Sequence, residues 1–297
     1  MKLGAKLMVA VFCFVFIAPA LAGTLPGTVP EAVGFSSERL ALIGTKLEAD
    51  IAAGKIPGAV VLVARKGKVA YFEAFGMQDK EAGIPLKKDS LFRIYSMTKP
   101  FASVAAMMLF EEGKLLLSDP VSKYIPAFKD VQVGVIEKDA EGKEKVTTRK
   151  PIATMTVFHL LTHTSGLNYW FYPPKAIQNM YLEAGLNKPS QMTVEEMSDK
   201  LAALPLLFDP GTQYRYSHSY DVLSRVVEVA SGMPMNQFLQ DRIFDPLKMN
   251  DTGYHASETD LERLAYLTPK NPLYQDFTQP AKLFGGGSGT LSTAGDY

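Results

Sequence analysis

A mixed α/β fold, an antiparallel sheet flanked by helices and joined to a mostly helical lobe, is what this sequence predicts, on three observations. Residues 59–64 and 69–75 are apolar, β-branched and aromatic runs separated by Arg65-Lys66-Gly67-Lys68, which is turn chemistry, so they read as a β-hairpin. Ahead of them, Leu40, Ile43, Leu47 and Ile51 recur at helical spacing behind Ser36, a natural N-cap. Behind them, residues 101–110 are apolar and rich in Ala and Met, and they run out at Glu111-Glu112-Gly113. That is the composition of a buried helix with a glycine C-cap.

The remaining elements follow the same rules. Residues 155–162 and 221–231 read as helices, the second with Val222, Val226, Val227 and Ala230 on one side and Gly232 closing it. Residues 137–150 are charged, contain Gly142 and carry no apolar period, so they read as a solvated excursion between elements. Neither an internal repeat nor a low-complexity linker interrupts the chain.

With 297 residues, 47% hydrophobic and 21% charged, the chain is long enough to bury a large core. Lys plus Arg (31) balance Asp plus Glu (31), so no net field draws in nucleic acid or an anionic membrane. A small neutral substrate is the better partner. The first residues carry the one strongly apolar stretch. Lys2 and Lys6 form a basic n-region, residues 7–18 a short apolar h-region, and Ala20-Leu21-Ala22 a small-x-small cleavage signal before Gly23. Residues 1–22 are therefore expected to be a removable signal peptide, because the h-region falls short of the ~20 apolar residues a spanning helix needs. Residues 23–297 form the mature domain on this reading, exported to the periplasm or the cell exterior and holding no stable membrane anchor. Cleavage also removes Cys13, the only cysteine, which excludes disulfides, a cysteine nucleophile and thiolate metal sites.

Chemistry concentrates at Ser96-Met97-Thr98-Lys99. Residues three apart on a helix share a face, so Ser96 Oγ and Lys99 Nζ are within reach of each other. A serine hydroxyl is a poor nucleophile until a neighbouring base takes its proton. A helix N-terminus also favours the negative charge that develops in acyl transfer. The pattern alone is short enough to recur by chance, and its bland reading is an N-cap serine beside a surface lysine. Its place at the opening of a buried helix after a hairpin gives it weight. A second element, Tyr214-Arg215-Tyr216-Ser217-His218, follows the turn Asp209-Pro210-Gly211-Thr212 and precedes a helix. A tyrosine hydroxyl near a lysine ammonium can serve as a general base, although core aromatics leading into a helix look the same.

These segments occur in a recognisable order: Ser96-Met97-Thr98-Lys99, then Leu160-Leu161-Thr162-His163-Thr164-Ser165-Gly166-Leu167, then Pro210-Gly211 leading to Tyr216-Ser217, then residues 285–293. Together they resemble the serine β-lactamase-like superfamily, most closely class C β-lactamases and the related family VIII carboxylesterases, from about residue 57 to residue 297. The resemblance implies that Ser96 is the acylated nucleophile, Lys99 its proton partner and Tyr216 the second base, with the Ser96 backbone N–H as half of an oxyanion hole. It also implies substrate contacts at His218, Gly286 and Gly287, and requires neither cofactor nor metal. There are two departures. His218 stands where class C β-lactamases have the Asn of Tyr-x-Asn, which weakens lactam recognition and tilts the reading toward an esterase. In addition, no Lys-Thr-Gly, His-x-Gly or Trp-Gly-Gly tripeptide follows Tyr216, so the chain is expected to be truncated at its C-terminus, with strands of the sheet missing and the fragment itself inactive and poorly stable.

Weaker constellations resolve against function. His159 and His163 are spaced i, i+4 as in zinc helices, but the glutamate of H-E-x-x-H is absent, so structural histidines are expected. Ser288 has Gly286 before it but Thr290 after it, which is not the elbow of an α/β-hydrolase. Residues 285–289 read as a tight turn where backbone meets backbone. Residues 169–172 (Tyr-Trp-Phe-Tyr) suit either the wall of an acyl pocket or a lobe interface. Three readings stay open: an esterase on small carboxylic esters working through an acyl-enzyme on Ser96, a β-lactamase or D-Ala-type peptidase of the same mechanism on an amide, and a non-catalytic binder or inactive fragment.

Overall fold

The computed structural model describes residues 25–138, 142, 144–266, 277 and 281–297. The expected signal segment, residues 1–22, lies outside the described residues. Helix α1 (Ser37–Ala52) begins where the Ser36 hydroxyl accepts the Arg39 N–H at 3.3 Å. It packs on the hairpin of β1 (Gly58–Arg65) and β2 (Lys68–Asp79), whose outermost pair is Arg65 with Lys68. Lys66 and Gly67 between them both have positive φ (53° and 68°), which gives the turn the twist that a two-residue antiparallel connection favours. The short strand β3 (Ile84–Pro85) adds to the far edge of β2, giving the order β1-β2-β3.

Strand β4 (Phe92–Arg93) leads into a single 3₁₀ turn, Tyr95–Thr98, and then into α2 (Lys99–Glu111). Beyond α2 the chain forms β5 (Val133–Lys138) and β6 (Glu144–Arg149), then α3 (Val157–Leu161), α4 (Lys175–Glu183), α5 (Val194–Ala202), α6 (Ser219–Ser231) and α7 (Met235–Leu239), and finally β7 (Leu291–Ser292). The antiparallel sheets flanked by helices match the class the sequence predicts. One stretch does not: residues 137–150 belong largely to the β5–β6 hairpin, paired in register from Val133–Arg149 to Lys138–Glu144. The hairpin projects with much of its surface in water, so its residues carry charge where apolar alternation would mark a strand. Arg149 at its end forms a two-pronged ion pair with Asp209 (2.5 and 2.9 Å), and Asp209 also accepts the Ile152 N–H at 2.8 Å.

The main core lies in the helical lobe. Ala102, Ala105, Ala106 and Leu109 of α2 face Val222, Leu223, Val226 and Val227 of α6, with Leu201, Phe238 and Leu239 closing the cluster. Alanines along α2 permit a close approach, and residue 286 exploits it: a Cβ at Gly286 would lie 2.6 Å from Ser224 Oγ and 2.7 Å from both Ala102 Cβ and the Tyr220 carbonyl. Only glycine fits between α2 and α6 there. No described helix is long and apolar enough to cross a membrane.

Candidate active site

The turn that carries Ser96 is held by residues 290–292. β4 pairs antiparallel with β7, Phe92 opposite Ser292 and Arg93 opposite Leu291. Ile94 N–H donates to the Thr290 carbonyl at 3.1 Å, and the hydroxyls of Thr98 and Thr290 meet at 2.8 Å. Within the turn, Thr98 Oγ donates back to the Tyr95 carbonyl at 2.7 Å. Tyr95 itself has φ 44°, a left-handed conformation that bulky residues avoid, so the chain reverses direction immediately before Ser96. Ser96 is thereby left exposed while Lys99, one turn further on, is buried.

Around Ser96 the expected groups converge. Lys99 Nζ donates to Ser96 Oγ at 3.1 Å and to the Gly287 carbonyl at 2.6 Å. The Tyr216 hydroxyl hydrogen-bonds Ser96 Oγ at 2.5 Å, and the Lys99 ammonium lies 4.5 Å from the centre of the Tyr216 ring. One serine oxygen is thus in contact with both a lysine and a tyrosine.

Tyr216 is placed by its neighbours. His163, also at positive φ (55°), accepts the Arg215 N–H on its carbonyl (2.8 Å) and the Ser217 N–H on Nδ1 (3.3 Å), bracketing Tyr216 on both sides. Its ring lies 4.6 Å from that of Tyr216. Below, the buried hydroxyls of Ser165, Ser217 and Ser219 join in a row at 2.8 Å, stitching residues 163–168 to residues 214–219. The turn before Tyr216 is fixed by Gly211, whose φ of 87° and close approach to His159 require glycine. His159 is accounted for as well: its Nδ1 accepts the Thr156 N–H at 3.2 Å while its own N–H reaches Thr156 Oγ, a reciprocal cap on α3. Both histidines of the i, i+4 pair thus have structural work.

Three of the expected substrate contacts take a different place. His218 is 4% exposed and turned inward, its Nδ1 2.8 Å from Asp221 Oδ2, because α6 starts at Ser219 and brings Asp221 back beneath it. Gly286 is wedged between α2 and α6, and Gly287 is buried with its N–H on Asp221 Oδ1 (3.1 Å) and its carbonyl on Lys99. All three contact protein behind Ser96 and Lys99. Asp221 does not stand out in the sequence. The available signal was an acidic residue three positions after His218 at the start of an apolar helix, which reads equally well as a charge favouring the helix dipole. Of the aromatic run, Tyr169 comes nearest the site, its ring 5.6 Å from Tyr216 and 4.3 Å from His218, and it stacks with Phe171 at 4.9 Å.

Burial and the nearby Lys99 charge push the His163 imidazole down to about 4. The unfolded chain protonates it near 6.5, so between those values the unfolded state binds the extra proton. The stability it contributes is complete above pH 6.5 and is lost as pH falls toward 4, amounting to about 3 kcal/mol. His159 shifts in the same direction through burial. Thermal melts should therefore show the midpoint dropping between pH 6.5 and 4, a slope that His163→Asn removes in part. A second loss follows as pH falls from about 4 toward 2, where the unfolded chain takes up a proton on Asp209 that the folded chain resists; Arg149 and then the Ile152 N–H hold its carboxyl down at about 2.

An exposed serine contacted by a buried lysine and a tyrosine thus sits on a fold of hairpin and helices. The beta-lactamase family profile matches residues 44–297, and the chain belongs to that family. Esterase EstB of Burkholderia gladioli is 35% identical over 215 residues, 71% of this chain and 50% of EstB. Lovastatin esterase of Penicillium rubens is 33% identical over 235 residues, 77% of this chain and 57% of that protein. Among solved structures, EstCE1, described as a hydrolase with promiscuous acyltransferase activity, superposes with a TM-score of 0.70 at 28% identity, covering 87% of this chain and 70% of EstCE1. A class C beta-lactamase from Rhodobacter sphaeroides gives 0.61 at 23% identity, covering 85% and 62%, a likeness of fold. The chain thus spans between half and three fifths of the length of these two curated relatives.

Proposed function

We propose that this protein is a serine esterase that cleaves small carboxylic esters through an acyl-enzyme on Ser96. The observation that carries the reading is the simultaneous contact of Ser96 Oγ with Lys99 Nζ (3.1 Å) and the Tyr216 hydroxyl (2.5 Å). In the proposed reaction Ser96 Oγ attacks the ester carbonyl carbon as its proton passes to the Tyr216–Lys99 pair. The carbonyl oxygen becomes an oxyanion beside the positive end of the turn and α2. Collapse breaks the C–O bond, and the departing alkoxide takes the proton back. Water then attacks the acyl-serine, the same pair accepts its proton, and Ser96 is released with the acid.

Two features favour an ester over a lactam. His218 occupies the third position of the tyrosine motif facing inward, so it presents no carboxamide to a lactam side chain. Both curated relatives compared above are, in addition, named as esterases. Export belongs to the same reading and rests on residues 1–22. The test is labelling of the full-length protein by a fluorophosphonate, followed by turnover of 4-nitrophenyl butyrate and of nitrocefin. Labelling at Ser96 with ester turnover is the expected result. Preferred hydrolysis of nitrocefin would replace the esterase reading by the lactamase one, and absence of label would reduce the chain to a binder.

A further inference from the structure

We infer that Asp221 is a positioning residue for Lys99, acting through the backbone of Gly287 and held in turn by His218. The inference rests on the reading of Ser96 and Lys99 as the reacting pair. Lys99 Nζ makes its shorter bond to the Gly287 carbonyl (2.6 Å) and its longer one to Ser96 Oγ (3.1 Å), so the carbonyl decides where the ammonium sits relative to the serine. A lysine side chain has four rotatable bonds, and without that anchor its head would sample several rotamers.

What fixes the carbonyl is a buried carboxylate. Asp221, 5% exposed, accepts the Gly287 N–H on Oδ1 at 3.1 Å and meets His218 Nδ1 with Oδ2 at 2.8 Å. Both oxygens are engaged, as a carboxylate this deeply buried requires. Its fit to the glycine run is close on both sides: a Cβ at Gly285 or at Gly287 would lie 2.7 Å from Asp221 Oδ1. Gly285 is tied separately, its carbonyl accepting the Tyr254 hydroxyl at 2.9 Å. The run is therefore pinned at Gly285 by Tyr254, at Gly286 by the α2–α6 contact and at Gly287 by Asp221, with Lys99 on the opposite side. His218 completes the arrangement. Its packing against Tyr169 at 4.3 Å sets the ring, and the ring sets the second oxygen of Asp221. The departure from a carboxamide at position 218 and the buried acid at position 221 are on this view one device.

The experiment compares Asp221→Ala and Asp221→Asn with the parent full-length protein. Rates are the fluorophosphonate labelling rate and steady-state hydrolysis of 4-nitrophenyl butyrate, both per folded molecule. Because a displacement of about 1 Å in a reacting group can cost roughly 100-fold, Asp221→Ala is expected to lower kcat and labelling by about 10- to 100-fold while KM stays within a factor of about 3. Asp221→Asn keeps an oxygen for the Gly287 N–H and should recover most of that loss. If Asp221→Ala does not fold, Gly287→Ala carries the same test, since it retains the carboxylate but drives it off the backbone. Wild-type labelling in a folded Asp221→Ala or Gly287→Ala protein would overturn the inference, as would a loss confined to KM or an asparagine variant no better than alanine. An unlabelled parent protein would instead count against the reading of Ser96.

Discussion

Replacing Ser96 by alanine should lower ester turnover on the order of 10⁶-fold and abolish covalent labelling, while the melting temperature stays within a few degrees of the parent. The size follows from what the hydroxyl does. As the proposed nucleophile it is required for both the attack and the intermediate, and single removal of such a group in a serine hydrolase costs about as much as removing its whole catalytic set. The small effect on stability follows from its surroundings. Ser96 is exposed, and the hydroxyl's partners are Lys99 and Tyr216, which keep other contacts: Lys99 holds the Gly287 carbonyl, and Tyr216 packs on His163. Substitutions at exposed positions away from caps and core are usually within about 0.5 kcal/mol. The check is a pair of measurements on one preparation, hydrolysis of 4-nitrophenyl butyrate and a thermal melt. Turnover retained within tenfold of the parent would remove Ser96 from the mechanism.

Changing Tyr216 to phenylalanine is the second large effect. The substitution deletes one oxygen, the one 2.5 Å from Ser96 Oγ, and leaves the ring that faces Lys99 at 4.5 Å and His163 at 4.6 Å. A positioned general base contributes typically 10²- to 10⁴-fold, so kcat should fall by about that range with KM little altered. Labelling by the fluorophosphonate should slow in parallel, because both reactions need the serine proton removed. A phenylalanine variant with unchanged kcat would remove the Tyr216 hydroxyl from the mechanism. The two variants differ in kind: alanine at position 96 eliminates the acyl-enzyme, whereas phenylalanine at position 216 only delays its formation.

The parts of this site that could be read from sequence are those whose spacing is local. Ser96 and Lys99 lie on adjacent turns whatever the rest of the fold does, and the hairpin over β1 and β2 is announced by its turn residues and β-branched runs. Ser36 and Gly232 mark helix ends by their own chemistry. What escaped was decided by tertiary contact. His218 has the same sequence whether its ring faces substrate or Asp221, and only the entry angle of α6 distinguishes the two. The glycines at 286 and 287 announce close approach without saying to what, and the answer is supplied by Ala102, Ser224 and Asp221, each far off in the chain. The β5–β6 hairpin was hidden for another reason. Its strands present charge and threonine to water on much of their surface, and period-2 hydrophobic patterning reports only strands with one buried face.

The pairing of β4 with β7 has a consequence for the order in which the molecule is built. Three contacts that hold the serine turn and its lysine, Thr98 with Thr290, Ile94 with Thr290 and Lys99 with Gly287, join residues separated by nearly two hundred positions. Closing so long a loop adds entropy cost only slowly with length, but contacts of such separation form late and slow the approach to the native state. The hairpin β1–β2 and the helix pair α3–α6 draw on nearer neighbours and can assemble while the strand at residue 291 is still being synthesised or still unfolded. A ribosome-bound or partly folded chain therefore carries its serine and tyrosine while the lysine anchor is still absent. Reactivity toward an acylating probe would then rise last in refolding, after secondary structure has been regained.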